Sequence, residues 1–253
     1  MSGHSKWSTI KRAKGAADVK RGLTFTKMAN AITIAAKLGG SGDPAANPRL
    51  RTALDEARAV NMPKDNIARA IDRGLGKGGS GTLEEVVYEG FGPGRVAFIV
   101  EGVTDNRLRT NQEIKSFFER NGGTLGNPGT VGYMFDKLGE IKVTGKGGAR
   151  DNEILKLIDL GAEDVEDYEE ENIQRYLVYV QSPELNTMGI KITQAGFTIE
   201  SQNLMMKPKV LQEVTEPEIA KRVLEFAEKL EGHDDIQKVY ANFDIPDNLL
   251  EGS

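Results

Sequence analysis

At 253 residues, with 38% hydrophobic and 28% charged side chains, the chain is long enough to bury a substantial core and has an ordinary globular composition. No apolar run approaches the length needed to span a bilayer, so a soluble chain with no membrane partner is expected. The lack of cysteine removes disulfides, thiolate catalysis and Cys-based zinc sites together, and two histidines, His4 and His233, leave little for a metal centre. No metal and no cofactor are expected.

The net charge of −5 conceals a segregation. Residues 1–77 carry 15 Lys and Arg against 6 Asp and Glu, and the remainder carries 18 against 32. An acidic protein repels phosphate as a whole, but a basic module attached to an acidic body is the electrostatic footprint of nucleic-acid binding. Asp18 is the one acid in the first 37 residues, so a mitochondrial transit peptide competes for this segment.

In chain order, residues 5–21 combine Lys6, Lys11, Arg12, Lys14, Lys20 and Arg21 with Trp7, the single tryptophan. Their charges point all round a helical wheel, which predicts a mobile arm without an apolar docking face. Such an arm orders against a phosphate backbone and releases counterions, while Trp7 stacks on a base or wedges the arm in place. A solvated basic tail is the competing reading. Apolar spacing at Phe25, Met28, Ile32, Ala35 and Leu38 predicts a helix over 23–38, ended by Gly39-Gly40. Asn47 as cap and Pro48 in the first turn start a second helix with Leu50, Leu54 and Ala57 on one side. A third follows Asn61-Met62-Pro63, with Ile67, Ile71 and Leu75 one turn apart, and runs into a glycine-rich flexible linker over 74–81. Its Lys64, Arg69 and Arg73 are candidate phosphate contacts, diluted by Asp65 and Asp72; surface solvation is the alternative.

The period then changes to two. Val86 and Tyr88, then Val96, Phe98 and Val100, flank Gly90-Phe91-Gly92-Pro93-Gly94 and predict a hairpin. A helix over 106–120 carries Ile114, Phe117 and Phe118 and ends at Asn121-Gly122-Gly123. Near its start Asn106, Arg107 and Arg109 form a second candidate phosphate-facing surface, with capping and surface charge as the alternative. The next stretch reads as strand 140–143, helix 151–160, strand 164–168, strand 176–180, helix after Ser182-Pro183, and strand 197–201. That is the β-α-β-β-α-β order of a ferredoxin-like unit. Thr215 with Glu218 suggests a capping box for a last helix carrying Ile219, Val223, Phe226 and Leu230, followed by a strand over 239–243. One helix and one strand close no domain alone, so they are expected to complete the domain begun near Thr82, which makes the ferredoxin-like unit an insertion.

Nucleotide-binding motifs fail on detail. Gly76-Lys77 and Gly145-Lys146 are each followed by glycine where a P-loop needs Ser or Thr, and the glycines of 90–94 lie between two strands, where a tight turn is expected. The acids of 163–171 lack EF-hand spacing and read as a solvated acidic loop. RNA-recognition motifs share the ferredoxin-like order, yet Tyr176 and Tyr179 are three apart and face opposite sides of their strand, and residues 134–208 total 8 basic against 14 acidic side chains. A protein partner fits that unit better than RNA. No constellation of catalytic groups is apparent, so no enzyme is expected.

Gly3-His4-Ser5-Lys6-Trp7, Lys20-Arg21-Gly22 through Phe25-Thr26-Lys27, Asn61 through Ile67 with Arg69-Ala70-Ile71, and Tyr88-Glu89-Gly90-Phe91-Gly92-Pro93 together closely resemble the YebC family across essentially the whole chain. The resemblance implies an α+β protein of three domains: a helical one over 1–80, an α+β one over 81–133 plus 209–253, and a ferredoxin-like one over 134–208 inserted into the second. It adds Lys27 to the candidate nucleic-acid contacts. The family's bacterial members begin with this same Gly-His-Ser-Lys-Trp run, so the resemblance implies a mature N-terminus rather than a transit peptide, and a cytoplasmic protein. Members are described as probable transcriptional regulators that bind promoter DNA, whereas others resemble translation factors acting on ribosomes stalled at proline-rich stretches. Promoter DNA and ribosomal RNA or the ribosome are therefore the two expected partners.

Overall fold

The computed structural model describes residues 17–77, 83–170, 172–246 and 249, with side chains from Gly22 onward. The fold is α+β. Among the described residues its contacts define two compact units, residues 133–211 and residues 17–132 with 212–249.

The larger unit begins with helix α1 (Ala17–Gly39), against which α2 (Pro48–Ala59) and α3 (Lys64–Gly74) pack. Helix α1 takes in the last five positions of the segment expected to be an arm. Extension costs little once the downstream turns exist, because each added residue contributes a hydrogen bond without a new nucleus. Residues 5–16 lie outside the described residues. The core between the helices holds Ile32, Ala35, Leu50, Leu54 and Ala57, with Phe25, Met28, Ile67 and Ile71 partly buried against it, whereas Leu38, on the same spacing, is exposed in the last turn of α1. Asn47 locks the corner. Its Oδ1 accepts from Leu50 N–H at 3.1 Å as the α2 cap, and its Nδ2 donates to Ala35 O at 2.9 Å and Ser41 O at 3.1 Å.

Strands β1 (Glu84–Phe91) and β2 (Ala97–Thr104) form the expected hairpin, and helix α4 (Arg107–Arg120) follows, capped by Asn106. The turn contains Gly94 at φ +66°, left-handed backbone that favours glycine. Gly90 is required for a different reason: a Cβ there would stand 2.5 Å from Thr124 O and 2.7 Å from the Phe118 ring. The short strand β3 (Thr124–Leu125) pairs with Gly90 and Phe91.

The chain returns from the inserted unit through β8 (Gln212–Glu213), α7 (Pro217–Glu231), β9 (Ile236–Ala241) and β10 (Phe243–Asp244). Strand β9 pairs antiparallel with β2, giving the sheet order β3-β1-β2-β9, so the last helix and strand do complete this sheet. Helices α4 and α7 cover one face. Phe226 of α7 sits 4.9 Å from both Phe98 and Phe117, and 5.0 Å from Phe118, centroid to centroid. The expected capping box is absent: Pro217 takes the first helical position, the cap falls on Glu216, and no side chain caps the helix. Proline fixes φ for the first turn and needs no N–H partner there, so it sets the start in place of Thr215.

In the inserted unit, β4 (Phe135–Thr144), β5 (Asp164–Glu170), β6 (Ile173–Gln181) and β7 (Thr198–Pro208) form an antiparallel sheet in the order β5-β6-β4-β7, the ferredoxin-like arrangement. Helices α5 (Arg150–Asp159) and α6 (Leu185–Gln194) pack over Ile141, Val143, Tyr176 and Val178. Ser182 does not cap α6 but donates to Lys137 O at 2.6 Å, because a single 3-10 turn over Ser182–Glu184 intervenes. The acids at 164–170 form strand β5 rather than a loop, and several are paired across the sheet. Lys207 holds Asp164 and Glu166, Arg150 holds Asp167, and Lys142 and Arg175 share Glu170. Of these cations Arg175 lies on the adjacent strand β6, while Lys142 and Lys207 come from β4 and β7 and Arg150 from α5, so the acidic run is neutralised largely from beyond its own strand pair.

Asn47→Ala removes one cap and two further hydrogen bonds at a buried corner, so it is expected to destabilise the helical part by about 2–3 kcal/mol. Asn47→Ser keeps the cap oxygen and is expected to cost about half of that, read in both cases from urea titrations followed by circular dichroism.

Candidate nucleic-acid interface

Of the candidate contacts, Lys6, Trp7, Lys11, Arg12 and Lys14 lie outside the described residues, and Lys20 and Arg21 are placed by backbone only, on the first turns of α1. The others fall into two groups. Lys64 is exposed at the first residue of α3, where no side chain caps the helix. Its ammonium therefore adds to the positive end of a helix dipole. On the same helix Arg69 is exposed but turned back on its own turn, with Nη2 donating to Asn66 Oδ1 and Nε to Asp65 O at 3.3 Å. Arg73, in the last turn, is half-buried, and its Nε is buried with no hydrogen-bond partner among the described residues.

Other basic side chains of the helical part hold it to the sheet. Lys27 Nζ donates to Glu231 O, the last carbonyl of α7, at 2.5 Å, and Lys37 Nζ donates to Leu83 O at 2.7 Å. Arg49 forms an ion pair with Glu85 on β1. A cation on the closing carbonyl of a helix opposes its dipole, which is a structural use of Lys27.

Arg107 and Arg109 are two residues apart and differ in surroundings. Arg109 lies 3.1 Å from both Asp105 and Asp235 and 4.0 Å from Glu113. Its hydrogen bond to Asp235 raises its pKa above the ordinary value. Asp235 also accepts from Thr110 Oγ1 at 2.6 Å; burial pushes its carboxyl up, but Thr110 and Arg109 more than offset that and hold it below the ordinary value. His233 closes the network: Nδ1 accepts from Asp235 N–H at 3.1 Å, leaving Nε2 to donate to Glu113 at 3.2 Å. Arg107 is exposed, has no ion-pair partner among the described residues, and lines a cavity of about 190 Å³ with Tyr88, Asn111 and Asn127.

Two carboxylates that the sequence reading passed over organise the glycine-rich loops. Glu89, within the Tyr88-Glu89-Gly90 motif, accepts from the backbone N–H of Gly129 at 2.9 Å, Val131 at 2.9 Å and Gly132 at 2.7 Å. Desolvation raises its pKa, yet the three donors together hold it below the ordinary 4.5. In the inserted unit Glu153 accepts from Lys146 N–H at 3.0 Å, Gly148 N–H at 3.0 Å and Tyr176 Oη–H at 2.9 Å. The Gly145–Gly148 loop thus points its amides at the protein's own carboxylate, where a phosphate-binding loop would point them at a ligand. The loop held by Glu89 lies some 40 residues further along the chain and gives no spacing signal, whereas Glu153 takes amides five and seven residues before it, at the start of α5. Among the described residues there is no group of three or more potential metal ligands, and no helix is long and apolar enough to cross a membrane.

A helical basic part joined to an antiparallel sheet, with a ferredoxin-like insertion, defines the class. Residues 5–77 match the model for the TACO1/YebC protein N-terminal domain, and residues 83–243 match that for the TACO1/YebC second and third domain. The chain belongs to the TACO1/YebC family. It is 47% identical over 253 residues to a "probable transcriptional regulatory protein" of Chloroflexus aggregans, covering 99% of this chain and 98% of that one. It is 42% identical over 252 residues to a protein of the same description from Akkermansia muciniphila, covering 99% of each. A conserved hypothetical protein of Aquifex aeolicus has a similar crystal structure, with TM-score 0.82 and 38% identity over 92% of this chain and 94% of the other.

Because the Glu89 pKa is lower folded than unfolded, its contribution to stability is complete above the unfolded value near 4.5 and is lost as pH falls through the depressed one. Amide exchange at Gly129, Val131 and Gly132 should therefore accelerate, relative to neighbouring β1 amides, only below about pH 4.5. Glu89→Gln should show the accelerated exchange already at neutral pH.

Proposed function

We propose that the protein is a non-enzymatic regulator of gene expression that binds nucleic acid in the cytoplasm through its basic N-terminal part, as a DNA-binding transcriptional regulator. The observation that carries this reading is the segregation of charge, 15 basic against 6 acidic side chains in residues 1–77 of a chain with net charge −5. The names of its relatives support the regulatory role. In this reading residues 5–21 are the principal contact, and Lys64, Arg69, Arg73 and Arg107 supplement them. Lys27 and Arg109 serve the fold, since their charges are engaged within it. The working architecture is three domains, 1–80, 81–133 with 209–253, and 134–208, the last offering an acidic surface to a protein partner.

One observation favours a second reading, a ribosome-associated translation factor that binds structured RNA and relieves stalling at proline-rich stretches. Base reading in the major groove relies on Arg, Asn or Gln side chains presented from one helix. On α3, Arg69 and Asn66 are hydrogen-bonded to each other, and Asp65 and Asp72 interrupt the exposed face. Such a surface suits contacts to phosphate and shape, which tolerate any sequence.

The test is salt-dependent binding of the full chain, and of a variant lacking residues 1–21, to promoter-length duplex DNA, structured ribosomal RNA and whole ribosomes. A transcriptional regulator should prefer particular duplexes over random ones and lose affinity without the arm. A translation factor should bind ribosomes tightly and DNA weakly without regard to sequence. No arm-dependent binding to any of the three refutes both. Lys64→Glu is expected to lower affinity about tenfold and to flatten the salt dependence by about one phosphate, whereas Arg109→Gln should leave affinity within about twofold.

A further inference from the structure

Strand β1 is paired on its inner edge along its whole length, from Glu84 opposite Thr104 to Phe91 opposite Ala97. On its outer edge β3 pairs only with Gly90 and Phe91, and Gly126 N–H adds one bond to Glu89 O at 2.8 Å. The direction of each residue's peptide groups follows from these bonds. Gly92 N–H donates inward to Val96 O at 2.8 Å, so Gly90, Tyr88 and Val86 also face β2, while Glu89, Val87 and Glu85 face out. Continuing the β3 register places position 128 opposite Val87, and that residue is Pro128, which has no N–H to donate. The sheet stops there, and the outward peptide groups of Val87 and Glu85 have no ladder partner among the described residues.

A cavity of about 190 Å³ lies along this same stretch, bounded by Val86 to Glu89, by Arg107 and Asn111 of α4, and by 125–128. Two of its lining side chains have unengaged polar groups. The Tyr88 hydroxyl is buried without a hydrogen-bond partner among the described residues, and Arg107 has no ion-pair partner there. Val87, which lines the cavity, is 55% exposed. A row of alternating donors and acceptors beside an exposed valine is what a strand needs, and such edges are normally blunted or covered.

We propose that the outer edge of β1 takes an extended peptide segment of a partner protein by strand addition, antiparallel to β1 in line with β3, with an Asp or Glu side chain entering the cavity toward Arg107. The backbone of Val87 and Glu85 supplies affinity, and the unpaired guanidinium supplies the charge preference. A phosphate group is the poorer occupant. It would leave the donor and acceptor of Val87 unmatched and would face the Glu89 carboxylate, which also lines the cavity. This inference reassigns Arg107 from a supplementary nucleic-acid contact to the peptide site and leaves the principal nucleic-acid contact at residues 5–21 untouched.

The test uses the full chain with a fluorescent hexapeptide of alternating Thr and Val bearing one central Glu, a second with Lys in its place, and a third N-methylated at alternate peptide nitrogens. Binding is followed by polarisation and by amide exchange. The Glu peptide should bind at least tenfold more tightly than either control and should slow exchange of the Val87 amide. Val87→Pro removes only an outward N–H, leaves the β1–β2 bonds intact, and should reduce binding at least tenfold while the circular dichroism spectrum is unchanged. Arg107→Glu should reverse the preference toward the Lys peptide. Failure of the Glu peptide to bind, equal binding of the N-methylated peptide, or Arg107-dependent binding of a single-stranded oligonucleotide without peptide binding each overturns the proposal, the last in favour of a phosphate site.

Discussion

Strand β2 is buried on both faces, and the larger unit is arranged around that constraint. Phe98 and Val100 face α4 and α7, within a cluster that includes Phe118 and Phe226. From the opposite face Val103 packs with Ile34 of α1 and with Leu83. A strand covered on both sides needs an apolar partner on each, and hydrophobic burial is non-directional, so it brings surfaces together without fixing their register. Register comes from the polar links around it, Lys37 to Leu83 O, Lys27 to Glu231 O and Arg49 to Glu85. The helical part and the sheet therefore pack within one compact unit.

That docking changes how the positive charge of residues 1–77 is understood. Three of its cations are engaged by the sheet and the end of α7, and Arg58 and Lys77 pair with Asp55 and Asp72. Exposed pairs of this kind contribute little to stability, but they remove charge from a phosphate-facing surface. What is left for a ligand lies mainly before α1 and at the start of α3. Net charge by segment identified the right part of the chain without distinguishing its working cations from those that hold the fold.

Much of the fold was legible because its determinants are local. Asn47-Pro48, Asn106 and the apolar spacings on α1, α2 and α4 act within one or two turns, and each appears where its chemistry put it. The ferredoxin-like order was legible because it follows from the succession of elements alone. What escaped the sequence reading depends on pairs brought together over long separations: Glu89 with 129–132, Lys27 with Glu231, Arg109 with Asp235. Ser182 and Thr215 misled for a related reason, since a cap signal is valid only where the helix begins, and proline geometry moved both beginnings.

The two glycine-rich loops show why composition was a poor guide to anion binding. A cluster of backbone N–H groups attracts whichever anion reaches it, and in a folded chain a glutamate held on a neighbouring element is present at an effective concentration no free phosphate matches. Glu89 and Glu153 occupy that role in separate units. With those amides satisfied, three groups that border one cavity are left without a hydrogen-bond or ion-pair partner among the described residues: the backbone edge at Val87, the Tyr88 hydroxyl and the Arg107 guanidinium. Glu89 thus shapes the cavity twice. It holds 129–132 against β1, and its charge lines the same space and disfavours a second anion there unless that anion sits on Arg107. A carboxylate on a strand that also satisfies the backbone meets both conditions.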